Sequence, residues 1–188
     1  DGTFTDVTSA VLPHTAWFSM GADSADINND GWPDLLAADM SGTTHFKDKT
    51  TMGAMGSRIW VTMTEPRQYM RNALYIGTGT NRMLEAAYLA GVADSDWTWA
   101  VKFADFDLDG RSDLFLSNGM TRNFNNSDLP FTRELFTGRS EWDAYEKTPP
   151  RKEQNLAFRN AGELRFEDVS KAWRLDHVGM SFAAASAD

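Results

Sequence analysis

The chain has 188 residues, of which 41% are hydrophobic, so it is long enough and apolar enough to bury a core. Its formal charge of −9 disfavours nucleic-acid partners, because phosphate binding needs clustered Lys and Arg. It has no cysteine to form a disulfide, and no apolar run approaches the roughly 18 residues of a transmembrane segment.

The first informative elements are a short opening motif and an acidic loop. Gly2–Thr8 reads GTFTDVT, so the chain opens inside a motif, and we expect it to be a segment of a longer protein. Asp26–Asp34 reads DINNDGWPD and returns 79 residues later as DFDLDGRSD, Asp105–Asp113. Both loops place Asp or Asn at positions 1, 3 and 5, Gly at 6 and Asp at 9.

Alternate oxygen side chains on a tight turn converge on one point, as a hard divalent cation requires, and glycine permits the reversal between them. Calcium is favoured over magnesium because it accepts about six to eight oxygens in flexible geometry, and soft metals lack cysteine ligands here. The predicted ligands are the side chains at positions 1, 3, 5 and 9 and the carbonyl at 7: Asp26, Asn28, Asp30, Trp32, Asp34, Asp105, Asp107, Asp109, Arg111 and Asp113.

Two other interpretations of the loops are an EF-hand and a metal-free turn. An EF-hand needs a bidentate Glu at position 12, where this chain has Ala37 and Leu116. The segments Asp34–Asp39 and Asp113–Asn118 are short apolar runs that predict buried strands rather than helices. Metal-free Asp/Asn/Gly turns remain the alternative, although the carboxylates of the second loop repel one another unless a cation neutralises them.

The elements that follow the first loop alternate between strands and insertions. We predict strands near 72–78, 98–104 and 113–118, with a strand or turn near 83–88. Insertions at about 41–68 and 121–152, the second with a helix near 130–136, should map to one face of an array, often the binding face. Basic residues in and beside them are expected to pair with neighbouring acids or to contact an anionic ligand: Arg58, Arg67, Arg71, Arg122, Arg133 and Arg139.

Three repeat units emerge when the chain is aligned on the first loop residue. Asp26, Asp105 and Asp188 each follow an alanine, and upstream lie the related segments Phe4–Thr8, Leu84–Tyr88 and Phe166–Ser170. Asp188 is therefore predicted as the first metal ligand of an interrupted third loop. Short strands and Gly/Asn/Asp turns at a fixed period predict an all-β chain, a β-propeller segment of roughly two blades plus part of a third with partly helical insertions. A sandwich with coincidental turn similarity is the alternative.

The chain resembles the VCBS/FG-GAP repeat family, found in the integrin α-subunit propeller and in many bacterial secreted proteins. The resemblance rests on GTFTDVT, the two loops, and the runs Asn72–Gly79 and Asn160–Val169. Met70–Asn81 more narrowly resembles bacterial ASPIC/UnbV-associated repeat proteins. The FG and GAP motifs are degraded, with Met20-Gly21-Ala22 where one would lie. The resemblance implies a calcium-stabilised propeller, usually seven-bladed, that is extracellular, at the cell surface or periplasmic and is used for adhesion or recognition.

Two functional hypotheses follow. In the first, the chain is a non-catalytic calcium-binding propeller segment that recognises a protein or glycan and packs against the remaining blades of its parent protein. No nucleophile elbow, P-loop or zinc-protease motif occurs, which favours this hypothesis. In the second, it is part of an extracellular enzyme that acts on polysaccharide through the inserted loops. Clustered acids beyond the metal ligands, or a buried histidine on the insertion face, would favour the second.

Overall fold

A computed structural model describes residues 2–51, 64–123, 126, 140, 142–143 and 146–187. Within them the chain is mostly β-sheet with short helices, which confirms the predicted all-β class. The helices are α1 Thr8–Val11, α2 His45–Thr51 and α3 Ala87–Ala90. The strands are β1 His14–Ala16, β2 Gly21–Ala25, β3 Asp34–Ala38, β4 Met40–Ser41, β5 Arg67–Tyr69, β6 Ala73–Ile76, β7 Leu84–Glu85, β8 Asp96–Ala104, β9 Asp113–Asn118, β10 Glu153–Gln154, β11 Leu156–Asn160, β12 Phe166–Asp168 and β13 Val178–Gly179.

Two antiparallel sheets share one connectivity. The first has the order β2-β3-β6-β7, and the second has the order β12-β11-β9-β8-β4. Strands β8, β9, β11 and β12 thus repeat the meander of β2, β3, β6 and β7, while β4 joins the second sheet through the pair Met40 and Trp97. The predicted insertions lie between β3 and β6 and between β9 and β11. Their ends pair separately, β5 with β1 in parallel and β10 with β13 in antiparallel fashion.

The boundaries of the sheets differ from those of the repeat unit predicted from the sequence. That unit runs from the strand near 72–78 to the strand at 113–118, yet β6 and β7 belong to the first sheet and β8 and β9 to the second. Of the aligned upstream segments, Leu84–Tyr88 forms β7 and the start of α3, and Phe166–Ser170 forms β12 and a helical turn. The helix predicted near 130–136 and the ligand Asp188 lie outside the described residues.

The side chains of β3 alternate between two apolar clusters on opposite faces of the sheet. In β3, Leu36 and Ala38 enter the central core, whereas Leu35 and Ala37 pack with a second cluster on the other face. Successive side chains of a strand point to opposite faces, so a strand that is apolar throughout must be covered on both. The central core joins both sheets and α3, with the fully buried Leu36, Leu74, Ala87, Leu114 and Leu116 among its members.

The two sheets approach each other closely where β2 crosses β8. A Cβ atom on Gly21 would overlap the carbonyl oxygen of Trp99, so only glycine permits this approach. Next along β2, a carboxylate oxygen of Asp23 accepts the backbone N–H of Phe103 at 3.0 Å. These contacts fix the first sheet against the second. Within the described residues, no helix has the length and apolar character needed to cross a membrane.

Candidate metal centre

The two acidic loops occupy equivalent positions in the two sheets. The first joins β2 to β3 and the second joins β8 to β9. Strands β3 and β9 begin at the last loop residues, Asp34 and Asp113, so strands rather than EF-hand helices flank the loops. The prediction of strand-to-strand loops is therefore confirmed.

The loops share one backbone conformation. In each, the position-1 carboxylate accepts the N–H groups of positions 5 and 6 at 3.0 and 2.8 Å. The position-5 carboxylate accepts the N–H of position 7, which is Trp32 at 2.8 Å in the first loop and Arg111 at 3.0 Å in the second. Positions 4 and 6 both have positive φ, and position 4 of the second loop is Leu108 with φ 60°. Leucine rarely adopts this region, so the loop's hydrogen bonds hold it there.

The second loop brings three carboxylates together. Asp105, Asp107 and Asp109 each offer an oxygen, and these oxygens lie within 4.8 Å of one another. An all-oxygen donor set of this kind fits a hard cation such as calcium. The two oxygens of Asp105 already accept N–H groups, but a carboxylate oxygen has a second lone pair for a cation. The side chains at positions 1, 3 and 5 thus fit the predicted metal.

The position-9 aspartates accept a different set of hydrogen bonds. Asp34 and Asp113 are fully buried, and in each case one oxygen accepts the N–H of loop position 2 while the other accepts an N–H at or just after the end of β6 or β11. Those second donors are Gly77 and Asn160, both at 2.8 Å. Burial raises the pKa of both carboxyl groups, and the N–H bonds partly offset this effect. These aspartates join each loop to the third strand of its sheet.

Arginine side chains compete for the carboxylates of the second loop. Arg159 of β11 donates to Asp107 at 2.8 Å and to Asp109 at 3.3 Å, and Arg111 donates to Asp109 at 2.7 Å. Burial acts to raise the pKa of Asp109, but the N–H and guanidinium of Arg111 and the guanidinium of Arg159 lower it overall. The first loop differs, because the amide of Asn28 donates to Asp30 at 2.9 Å. The two loops are therefore alike in backbone and unlike in electrostatics.

The two loops also contact each other. The amide of Asn29 in the first loop donates to the carbonyl of Gly110 in the second at 3.2 Å. The buried amide of Asn160 donates to the carbonyl of Ile27 at 2.7 Å and to that of Ser112 at 3.1 Å. One side chain of the second sheet thus bridges both loops.

Sequence reasoning missed Arg159 and Asn160 as partners of the loops. Both residues follow the second insertion, and their only local signal is the Asn160–Val169 run, which carries the family resemblance but indicates no contact with the loops. The pairing of β11 with β9 is what places them beside the loop.

Comparison with known proteins finds a family match over the first part of the chain. Residues 1–37 match the model of a family described as FG-GAP-like repeat. The match covers the opening motif, the whole first loop and most of β3, and it confirms the resemblance seen in the sequence for this stretch. No curated protein and no solved structure matches the chain.

Proposed function

We propose that the chain is a segment of a calcium-stabilised β-propeller in an exported protein, where it serves adhesion or recognition of a protein or glycan. The observation that carries this proposal is the repetition of one four-stranded meander with one loop conformation between its first two strands. Four-stranded antiparallel sheets are the blades of propellers, and the FG-GAP-like match belongs to a propeller-type repeat.

Calcium would be held by the loop side chains at positions 1, 3 and 5, with the carbonyls of Trp32 and Arg111 and the carboxylates of Asp34 and Asp113 as further ligands. Its chemical contribution is a divalent charge that offsets the repulsion among the carboxylates. The chain's own residues hold the loop shape through N–H bonds to the position-1 and position-5 carboxylates. The proposed role is structural, since each loop connects two strands of one sheet and the two loops contact each other.

Recognition is proposed at the end of the sheets opposite the loops. Strands β3 and β9 begin at the acidic loops and end at the two insertions. Insertions at matching positions of a repeat array fall on one face and commonly form its binding surface. This arrangement separates the calcium loops, which stabilise, from the surface that contacts a partner.

His14 and Glu85 bear on the second candidate, an enzyme that acts on polysaccharide. His14 is buried, and its Nε2 lies 3.2 Å from Glu85, near the start of the first insertion. Burial acts to raise the pKa of Glu85, but hydrogen bonds from Arg71 lower it to about 2, so this carboxylate is a weak proton carrier at neutral pH. The other imidazole nitrogen, Nδ1, is buried without a partner and is closed to solvent. Recognition therefore accounts for these residues better than proton transfer does.

Thermal unfolding with and without calcium tests the proposal. At free calcium ten times its dissociation constant, each occupied loop adds about 1.4 kcal/mol to stability, which raises the melting temperature by roughly 3–6 °C for a chain of this size. Asp107→Ala should reduce the rise. Glu146→Ala, which removes an exposed acid outside the loops, should leave it intact. An equal melting temperature in calcium and in EDTA, for wild-type protein, would contradict the calcium role.

A further inference from the structure

A cavity of about 970 Å³ opens beside the start of the first insertion. One wall is formed by Gly42–His45 and Asp48, a second by Tyr69–Arg71, and a third by Leu84, Glu85 and Tyr88. Its volume lies within the range of small-molecule sites, roughly 300–1,000 Å³. It is found at the insertion end of the first sheet, away from the acidic loops.

The floor of the cavity is a buried polar network. Arg71 and Glu85 form a two-pronged ion pair, with Nη1 to Oε1 at 3.0 Å and Nη2 to Oε2 at 2.8 Å. Nη2 of Arg71 also lies 2.9 Å from Nε2 of His14, and Glu85 accepts the N–H of Ala87 at the start of α3. A bidentate pair with these extra bonds is rigid, so the floor is formed before any ligand arrives.

Two tyrosines are anchored above this floor by the same arginine. The guanidinium carbon of Arg71 lies 4.6 Å from the ring centroid of Tyr88 and 5.8 Å from that of Tyr69. Cation–π attraction of this kind holds a ring in place. Tyr88 is nevertheless 69% exposed, so most of its surface is available to a ligand. A rigid aromatic surface at the mouth of a polar pocket is well suited to an amphipathic ligand.

The rim supplies hydrogen-bonding groups with little net charge. Asp94 is exposed and accepts the hydroxyl of Ser41, while Asp48 pairs with Lys49 at 3.3 Å. Glu85 on the floor is already paired with Arg71, so two of these three carboxylates face a cation. The carboxylate of Asp94 interacts electrostatically with the guanidinium of Arg71, so each of the three carboxylates already has a cation nearby and offers little to a cationic ligand. An anionic ligand would meet three carboxylates. A neutral ligand rich in hydroxyl groups suits this rim best.

We propose that this cavity binds a neutral carbohydrate, with a sugar ring lying on Tyr88 and its hydroxyl groups bonding to Asp94, Asp48 and the rim hydroxyls of Thr43 and Thr44. The inference rests on the proposed recognition role and narrows it from protein or glycan to glycan. A protein partner is disfavoured because interface anchors are apolar or aromatic side chains that fill dry pockets, whereas this floor is filled by an ion pair.

Calorimetric titration with neutral oligosaccharides of different sugar composition, in saturating calcium, tests the proposal. We expect one class of neutral oligosaccharide to bind the wild-type protein. Tyr88→Ala should weaken that binding by about tenfold or more, since the ring contact is lost. The matched control is Leu89→Ala, which alters the next residue of α3, is 71% exposed in the wild type, and does not line the cavity. It should bind as the wild type does, and both variants should melt like the wild type.

Three outcomes would overturn the carbohydrate site. They are absence of binding to every neutral oligosaccharide, equal binding by Tyr88→Ala and Leu89→Ala, and tighter binding of a lysine-rich peptide that Asp94→Asn abolishes. The calcium-dependent melting shift, measured on the same sample, separates this inference from the proposed function. If calcium raises the melting temperature but no sugar binds, only the carbohydrate proposal is refuted. If calcium leaves the melting temperature unchanged, the calcium role is refuted.

Discussion

Removing the buried carboxylate of Asp113 should destabilise the protein even when no metal is present. Asp113 is fully buried, and its two oxygens accept the N–H groups of Phe106 at 2.9 Å and Asn160 at 2.8 Å. In Asp113→Ala both N–H groups lose their partners, at about 1–3 kcal/mol each. In the wild type, burial of the Asp113 carboxylate raises its pKa and costs free energy, and the alanine variant does not have this cost. We therefore expect a net loss of about 2–4 kcal/mol.

The comparison is Asp107→Ala in the same loop. The side chain of Asp107 is 25% exposed and pairs with the half-buried Arg159, so its removal should cost about 1 kcal/mol or less in EDTA. Urea unfolding in EDTA measures both variants, and Asp113→Asn, which keeps one acceptor oxygen, should lie between Asp113→Ala and the wild type. If Asp113→Ala unfolds at the same urea concentration as Asp107→Ala, the bridging role assigned to position 9 is refuted.

Two further predictions concern ion pairs. The pKa of Glu85 is lowered from 4.5 to about 2. The ionised carboxylate therefore contributes fully to the free energy of unfolding above pH 4.5, and this contribution is lost as the pH falls towards 2. It amounts to at most about 3 kcal/mol, so the urea midpoint of Glu85→Gln should depend less steeply on pH in that window than that of the wild type, and equal slopes would count against the Arg71 pair. Arg159→Ala should tighten calcium binding at the second loop by up to about fivefold in calorimetric titration, because the competing cation is gone. Arg165→Ala, an exposed arginine without a partner role in the loop, should leave the affinity unchanged.

The loops were predictable because their signals are local. The spacing of Asp, Asn and Gly in Asp26–Asp34 and Asp105–Asp113 determines the turn, and the apolar residues after each loop determine the strand. The strands at 73–76, 96–104 and 113–118 follow from the same local patterns. Turn chemistry and alternation act within a few residues, so a single sequence is enough to find them.

The partners of the loops and the cavity were not predictable, because they depend on strand pairing. Arg71 was expected to pair with a neighbouring acid, and its pairing with Glu85 confirms that expectation. Nothing local indicates that His14 joins the same network, since the parallel pairing of β1 with β5 brings it there. Arg159 reaches the second loop only through the register of β11 against β9. Arg58, Arg133 and Arg139 lie outside the described residues.

The amide of Asn160 also constrains how such a chain can gain or lose a repeat. It belongs to the second sheet but donates to the carbonyl of Ile27 in the first, 133 positions earlier. A deletion or duplication that cuts between the sheets would leave the Asn160 amide or the Ile27 carbonyl without its hydrogen-bond partner. A buried polar group without a partner is destabilising. Viable rearrangements must therefore recreate an asparagine and a loop carbonyl at the new junction. Both insertions lie between Ile27 and Asn160, so an engineered array joined within an insertion must also rebuild this hydrogen bond.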